Sequence, residues 1–342
     1  ENLQSRLFDD SLIGKYTSLM SLKDIECNIR KRQSYLVSYE TDGFTKTIPV
    51  HINTKPKGDL SQSSLDRIMR TVLLLPKLNE YRLAEAKAEV NLYYSSSKKK
   101  CPTGDLKILG SNNINSGVTV FKYNEALPII TTVYRSEEMY KVIIHELIHN
   151  FKYDFGFLDL NIKVSDFINI SRDTKLTPNE SYTEIVALII NTITESYNFN
   201  QTGNYDLFKI MLEYEIQFNL FQCARILLFY GFKNIDDFFQ KYDNLNRFKQ
   251  NTNVFSYFFI KSALLMNFSE VLNFLERYTD NFMLKSRNVY FIKSEFEQLI
   301  IKSLKRSSFK KGLDYFIKKI SRNSKTEIVK ELCKSLRMTI FS

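Results

Sequence analysis

Histidine and tryptophan are the rarest side chains in this protein: three histidines and no tryptophan occur among 342 residues. Glycine and proline are also few, at 10 and 6 residues, which favours long regular elements and argues against a β-sandwich with many tight turns. The four cysteines are widely spaced and form no CxxC pair, which excludes the disulfide framework of a small secreted domain. We therefore expect an intracellular protein in a reducing compartment.

Long apolar runs are absent as well. No run approaches the roughly 18–20 apolar residues that span a bilayer, and the N-terminus lacks the charged-then-apolar layout of a signal peptide. We therefore expect no transmembrane segment. Apolar residues nonetheless make up 44% of the chain, enough for a large core, and 27 Phe and 20 Tyr make that core aromatic.

Negative charge is scarce at one end of the chain. From Lys285 onward there are 15 Lys and Arg against 5 Asp and Glu, an excess equal to the net charge of +10 of the whole chain. A basic tail of this kind can bind nucleic acid or an acidic protein partner. It is equally typical of the solvated faces of ordinary surface helices, so both interpretations stay open.

The few histidines are concentrated in one place. Two of the three lie four residues apart in the sequence His145-Glu146-Leu147-Ile148-His149. Positions i and i+4 share a helix face, so both imidazoles can reach one metal ion, and Glu146 can hold a water molecule against it. This HExxH arrangement is typical of zinc metallopeptidases and predicts one Zn²⁺ ion per chain, with Glu146 as the general base.

The helix that carries this motif is predicted to begin at Ser136. Serine is a favoured N-cap, and Glu137 and Glu138 would then lie at the positive end of the helix dipole. An apolar period continues from there through the second histidine, formed by Met139, Val142, Ile143 and Leu147.

Short β-rich runs precede the motif, whereas almost the whole chain after Asn179 has a helical period. Residues 1–40 carry only a weak helical period. The predicted strands are residues 45–52, 88–94, 106–109, 118–123 and 129–134. The predicted helices are residues 61–81, 179–197, 205–230, 235–242, 254–278 and 294–305, with two more in the tail.

These patterns predict an α+β fold with a small mixed sheet beside the HExxH helix in the N-terminal half and a mostly α-helical C-terminal half. The length suggests about two domains. The predicted segments are an N-terminal extension (1–60), an α+β subdomain with the HExxH helix (61–178), a helical subdomain that supplies the third metal ligand (179–283) and a basic helical tail (284–342).

Zinc needs a third protein ligand and one position left open for water. No other histidine lies nearby, so this ligand must be Asp, Glu or Cys. Residues 179–184 (NESYTE) open a helix about thirty residues after His149 and contain two glutamates one turn apart, Glu180 and Glu184. Glu180 could instead close a capping box with Thr177, and Glu184 would then be the ligand.

With this spacing the chain resembles the gluzincin metallopeptidases, the thermolysin-like clan, whose HExxH is followed by an Asn-Glu pair on a later helix and a second acid four positions on. The resemblance implies a zincin-like N-terminal half. It further implies that His145, His149 and Glu180 bind zinc, that Glu146 is the general base, and that Glu184 orients a ligand histidine. It also implies a protein or peptide substrate.

A hydrogen-bond donor to the oxyanion usually completes such a site. Members of the clan use a downstream histidine, which this chain lacks, so a tyrosine is the candidate. Tyr257 lies on a predicted helix at a suitable distance beyond Glu184, although it is also typical of an aromatic core residue. The other tyrosines considered are Tyr153, Tyr182, Tyr230 and Tyr242.

Clan members also use an edge strand to pair with an extended substrate backbone. The candidate here is the run Asn115-Ser116-Gly117 followed by residues 118–123, which an ordinary hairpin would explain equally well.

The chain also resembles uncharacterised metallopeptidase-like proteins of large DNA viruses of eukaryotes. This resemblance is carried by residues 115–117, 134–142, 145–149, 154–155, 180–184 and 256–257. This resemblance implies a virus-encoded protein in the host cytoplasm or the virion. The leading hypothesis is a zinc metallopeptidase. The alternatives are a structural or virion-associated protein with a metal-stabilised, non-catalytic fold, and a nucleic-acid-binding module that uses the basic tail.

Overall fold

The computed structural model describes residues 31–341 except 42–43, 55–59, 80–86, 103–107, 122–126, 155–156, 158–161, 163, 165, 171–173, 175, 201–203, 240–246 and 286–287. The weak helical period before residue 31 and the candidate Tyr242 lie outside the described residues, as do the first half of the predicted strand 106–109 and the end of the predicted strand 118–123.

The N-terminal half contains a five-stranded mixed sheet. Its strands are β1 (Lys31–Thr41), β2 (Phe44–Thr54), β3 (Ala88–Tyr93), β4 (Gly117–Val120) and β5 (Ile129–Val133). The strand order is β1-β2-β3-β5-β4, in which the three inner strands run parallel and each outer strand is antiparallel to its neighbour. The sheet therefore has β4 as one of its two edges.

Helices flank the sheet and form the C-terminal half, which confirms the predicted α+β fold. The helices before residue 201 are α1 (Gln62–Leu78), α2 (Ser111–Ile114), α3 (Met139–Asn150) and α4 (Pro178–Asn200). Those that follow are α5 (Tyr205–Phe229), α6 (Asp236–Phe239), a π-helix (Phe255–Ile260), α7 (Lys261–Leu265), α8 (Phe268–Tyr278), α9 (Val289–Lys305), α10 (Ser307–Asn323) and α11 (Glu327–Leu332). A two-stranded ribbon, β6 (Thr279–Asp280) and β7 (Met283–Leu284), lies between α8 and α9.

The motif helix α3 lies at the centre of the molecule. It packs on β4 and β5 of the sheet, on α1, and on α4 of the helical half. Ten of its twelve residues are buried, because apolar side chains cover most of its circumference rather than a single stripe. The polar side chains on this helix are therefore held among packed neighbours.

Three local predictions were wrong. Helix α3 begins at Met139 rather than after Ser136, because Glu138 adopts a left-handed conformation (φ 62°) and forms the N-cap. Residues 31–41, within a stretch whose only pattern is a weak helical period, form a strand that pairs along its whole length with β2. The helix predicted over 254–278 is broken into a π-helix, α7 and α8.

Among the residues that the structure describes, no single helix combines the length and apolarity needed to cross a membrane. The segments Phe255–Leu265 and Phe268–Tyr278 meet that criterion only together, and they meet at a bend of 99°. The four segment boundaries predicted along the chain stay predictions.

Candidate metal centre

The two histidines of the motif converge at the C-terminal end of α3. Their rings are 4.9 Å apart and nearly perpendicular, and the two Nε2 atoms lie 3.2 Å apart. This is the arrangement expected from their i,i+4 spacing on one helix face. Both side chains are largely buried, with 7% and 12% of the side chain exposed for His145 and His149.

The first turn of α4 brings a carboxylate to the same point. Glu180 Oε2 lies 3.4 Å from His145 Nε2 and 3.3 Å from His149 Nε2. Its other oxygen, Oε1, accepts a hydrogen bond of 3.2 Å from Asn253, which fixes the orientation of the carboxylate. The three ligand atoms thus form a nearly equilateral triangle, and His145, His149 and Glu180 could hold a metal ion.

The size of this triangle fits a tetrahedral metal. Bonds of about 2.0–2.1 Å at tetrahedral angles place neighbouring ligand atoms about 3.3–3.4 Å apart, and the observed separations are 3.2, 3.3 and 3.4 Å. Glu180 Oε2 is also buried without a hydrogen-bond partner. A buried carboxylate oxygen without a donor is costly, and a cation at the centre of the triangle would remove that cost.

The two alternatives for the downstream glutamates can now be compared. Glu180 does not close a capping box: its carboxylate faces the histidines and Asn253, and the Thr177 hydroxyl has no hydrogen-bond partner. Glu184 is not part of the triangle, because its Oε1 lies 2.9 Å from Nδ1 of His145, on the opposite edge of the ring from Nε2. The structure therefore brings Glu180, and not Glu184, into the group.

Each histidine has a carboxylate on the ring nitrogen that faces away from the triangle. Glu184 contacts His145 in this way, and Asp154 Oδ2 lies 2.8 Å from Nδ1 of His149. A carboxylate at Nδ1 favours a proton there, which leaves the Nε2 lone pair for a metal. Sequence reasoning missed this role of Asp154, although a carboxylate five residues after the second histidine was a usable signal.

The carboxylates around the two histidines also affect the pKa of His149. Burial disfavours its charged form, but Glu180 and Asp154 outweigh burial and raise the pKa of His149 well above its usual value. Burial likewise opposes the charge on Glu180, yet the two histidines lower the pKa of its carboxyl. The same field that holds a proton would attract a metal cation.

Two buried lysines hold Glu184 in place. Lys141 Nζ donates a hydrogen bond of 2.5 Å to Glu184 Oε1, and Lys261 Nζ donates one of 3.1 Å to Oε2. These three side chains are at most 2% exposed. Burial opposes ionisation of Glu184, but the two ammonium groups outweigh it and lower the pKa of the carboxyl well below its usual value.

The contact of these two lysines with Glu184 was not predicted from the sequence. Lys141 could have been found, because it lies one helical turn before His145 on a mostly apolar helix and must therefore point toward the same buried face. Lys261 gave no such signal, since it comes from the distant helix α7.

Edge strand β4 passes directly beside Glu146. Thr119 Oγ1 lies 2.9 Å from Glu146 Oε2 and 2.8 Å from its main-chain oxygen, close enough to donate to either. Gly117 lies so close that a Cβ atom built on it would be 2.7 Å from Glu146 Cγ. Burial raises the pKa of the Glu146 carboxyl, and the two histidines oppose that rise. Strand β4 is an edge of the sheet and the antiparallel neighbour of β5, so both interpretations of this run stay open and its role in substrate binding stays a prediction.

Tyr257 lies beside His145 and lines the same cavity as Glu146. It is part of the π-helix, and its ring is 6.0 Å from that of His145 in an edge-to-face arrangement. Burial, followed by the charge of Glu180, raises its pKa well above the usual value, so its hydroxyl keeps its proton. A neutral phenol in this position can donate a hydrogen bond.

The other tyrosines considered have their hydroxyls engaged elsewhere, where the structure describes them. Tyr153 donates to the main-chain oxygen of Leu75. Tyr182 and Tyr230 donate to the main-chain oxygens of Phe282 and Lys249, respectively. Among the described candidates, Tyr257 is the tyrosine that the fold brings to the metal group.

A small cavity, partly open to solvent, lies beside Glu146 and Tyr257. Its remaining wall comes from five parts of the chain: residues 115–117, helix α3, Lys99, Glu184 and Met338. Met338 belongs to the predicted basic tail, and its main-chain oxygen accepts a hydrogen bond of 3.0 Å from Lys261. The tail is therefore not separate from the site, a contact that no local pattern indicated.

Comparisons with known proteins add little to this geometry. No protein-family model matches the chain, and no solved structure matches it. The chain is 26% identical over 146 residues to the uncharacterized protein R210 of Acanthamoeba polyphaga mimivirus. This similarity covers 41% of the chain and 37% of the mimivirus protein. It suggests a viral protein and carries no information about activity.

Proposed function

We propose that this protein is a zinc-dependent metallopeptidase. The observation that carries the proposal is the triangle of His145, His149 and Glu180 with the carboxylate of Glu146 beside it. His145 and Glu146 also line a cavity. Two imidazole nitrogens and one carboxylate oxygen, with a position left open, are the ligand set of hydrolytic zinc sites. The arrangement also supports the proposed resemblance to gluzincins.

The donor set favours zinc over other common ions. Mg²⁺ and Ca²⁺ prefer oxygen ligands in six or more positions, whereas imidazole suits Zn²⁺. The carboxylates of Glu184 and Asp154 on the two imidazoles raise the basicity of the ligand nitrogens, as in other histidine-based zinc sites.

When bound, zinc would lower the pKa of a bound water to about 7 and polarise the scissile carbonyl. Glu146 would accept the proton of the attacking water and then deliver it to the leaving amine. The Thr119 hydroxyl on Oε2 orients this carboxylate. Tyr257 would donate a hydrogen bond to the oxyanion.

The substrate backbone would pair with edge strand β4. This strand pairs with β5 on one side, and within the described residues no strand pairs with it on the other. An extended peptide added there would run past Glu146, because Gly117 and Thr119 of β4 both contact this residue. We infer a protein or peptide substrate, and an intracellular site of action in the host cell or the virion.

The proposal is tested by metal analysis joined to cleavage of a peptide library. We expect one zinc ion per purified chain, hydrolysis of a subset of peptides, loss of hydrolysis with a chelator, and recovery on adding zinc. Stoichiometric zinc without hydrolysis of any peptide would favour the structural or virion-associated alternative. Absence of bound zinc would contradict both.

Replacing Gly117 with alanine is expected to lower kcat by about 10²-fold, because misplacing a catalytic group by about 1 Å has this effect. The added Cβ would lie 2.7 Å from Glu146 Cγ and 2.8 Å from Oε1, so the carboxylate must move. Zinc content should not change. Steady-state kinetics and metal analysis check this result.

The matched control is Gly110→Ala, whose Cβ would meet its nearest neighbours at 3.9 Å. It should retain wild-type kcat. Equal activity of both variants would mean that the position of Glu146 is not what limits hydrolysis.

A further inference from the structure

The wall of this cavity contains two lysines, Lys99 and Lys141, together with the carboxylates of Glu146 and Glu184. Lys99 and Lys141 are almost completely buried, with 0% and 1% of the residue exposed. Lysines are rarely buried to this degree unless they are paired. Lys99 pairs with Glu138 at 2.7 Å, and Lys141 pairs with Glu184 at 2.5 Å.

These residues belong to a larger buried group, which we call the lysine cluster: Lys99, Lys141, Lys261, Glu138 and Glu184. The third lysine contacts Glu184 as well, so three ammonium groups share two carboxylates. When all five are ionised the cluster has one positive charge in excess. A buried excess charge of this kind is unfavourable and is relieved by an anion.

The pKa values of the lysines agree with this excess. Burial is the largest influence and lowers the pKa of Lys99, while Glu138 opposes burial and the neighbouring charge of Lys141 adds to it. Lys261 behaves in the same way, with Glu184 opposing burial and Lys141 adding to it. For Lys99 and Lys261, burial therefore outweighs the neighbouring carboxylates.

The cavity wall also contains an uncharged hydrogen-bond donor, the hydroxyl of Ser116. Ser116 lines the cavity and is 4% exposed, and its hydroxyl has no hydrogen-bond partner. A buried hydroxyl without a partner is costly unless a ligand satisfies it. Ser116 immediately precedes edge strand β4, along which the substrate backbone is proposed to lie.

The cavity lies on one side of the proposed cleavage point. Its wall includes Glu146, His145 and Val142 but not His149 or Glu180. Glu146 is the group that would hand its proton to the leaving amine. A substrate residue whose side chain enters this cavity is therefore the residue that carries that amine.

We propose that this cavity receives a carboxylate of the substrate residue whose amine leaves, with Ser116 as hydrogen-bond donor and Lys99 and Lys141 as the source of positive charge. The proposal rests on the peptidase function. The carboxylate comes from an acidic side chain or, where this residue is the last of the peptide, from its α-carboxyl group.

The first experiment compares matched peptides that differ only at this residue. With an amidated C-terminus, peptides carrying Asp or Glu are expected to have kcat/KM about tenfold or more above their Asn and Gln counterparts, as a hydrogen bond to a charged group would give. A second pair, ending at this residue with a free or an amidated terminus, tests the α-carboxyl group. Equal rates in both pairs, or a preference for Leu, would overturn the proposal.

The second experiment uses variants of the wall. Ser116→Ala removes a hydroxyl without a partner, so folding should be little affected, and the Asp-to-Asn ratio of kcat/KM should fall several-fold. Lys99→Met should lower the ratio further if the variant folds. Thr54→Val is the matched control, because the Thr54 hydroxyl is also buried without a partner but does not line the cavity. An unchanged ratio in Ser116→Ala would exclude this residue as the donor.

Binding separates failure of this proposal from failure of the peptidase function. Fluorescence anisotropy with labelled Asp and Asn peptides is measured on the zinc-loaded Glu146→Gln protein, where no turnover is needed. Tighter binding of the Asp peptide, without hydrolysis by the wild type, would refute the peptidase and keep the carboxylate site. Hydrolysis by the wild type with equal binding of both peptides would keep the peptidase function and refute the carboxylate site.

Discussion

Replacing Glu146 with glutamine is expected to lower kcat/KM for peptide hydrolysis by about 10²–10⁴-fold, the usual contribution of a general acid–base group. Glutamine has the same shape and can still accept the hydrogen bond from Thr119, but its amide cannot take a proton from water. The side chains of His145, His149 and Glu180 are unchanged, so zinc should remain bound. Steady-state kinetics and metal analysis on the same preparation measure the two effects separately.

Glu213→Gln is the control for this substitution, because Glu213 is an exposed residue on helix α5. It should behave as the wild type. A Glu146→Gln protein that keeps its zinc and hydrolyses peptides at the wild-type rate would remove Glu146 from the mechanism and leave the metal with a structural role.

Replacing Glu184 with glutamine is expected to have the largest effect on stability. The change leaves the ammonium groups of Lys141 and Lys261 buried without their shared carboxylate. Removing one partner of a buried ion pair typically costs about 3–5 kcal/mol of the free energy of unfolding. His145 would also lose the carboxylate at Nδ1, and zinc affinity should fall by about 10–100-fold.

Denaturant unfolding of the zinc-free protein measures the first effect, and competition with a metal chelator measures the second. Glu195→Gln is the matched control: it lies on the same helix, and its partner Arg67 has 26% of its side chain exposed. Such a partly exposed pair should contribute less than about 1 kcal/mol. Equal stability losses in the two variants would show that the lysines do not depend on Glu184.

The candidate metal ligands are the part of the site that the sequence predicts best. His145 and His149 share a helix face because of their spacing, and this relation holds in any fold that keeps the helix. Glu180 could be proposed from its place at the start of the next long helix. The choice between Glu180 and Glu184 required the packing of α3 against α4, because both glutamates lie on the same side of α4.

The wrong predictions have a common physical cause. Ser136 has the chemistry of an N-cap, but the helix begins after Glu138, whose buried carboxylate accepts hydrogen bonds from the main chain of Met338 and Thr339. Lys99 pairs with the same carboxylate. Local capping preferences are worth about 1 kcal/mol, and a buried network of partners from distant parts of the chain outweighs them.

The strand β1 was missed for a related reason. Residues 31–41 (KRQSYLVSYET) are largely polar, and Leu36 is 71% exposed, so their alternation is weak. Their conformation is set by the full-length pairing with β2 rather than by their own pattern. No proline within residues 254–278 indicates that the helix predicted there is broken.

The contact between Met338 and the cavity has a consequence for the order of events during synthesis. During synthesis, His145, His149 and Glu180 leave the ribosome about 160 residues before Met338. The nascent chain therefore contains its candidate metal ligands well before the cavity wall is complete. Until then Lys261 lacks the main-chain oxygen of Met338, and Glu138 lacks two of its donors. On the proposed function, metal capture would precede substrate selectivity, which would arise only once the segment around Met338 has docked.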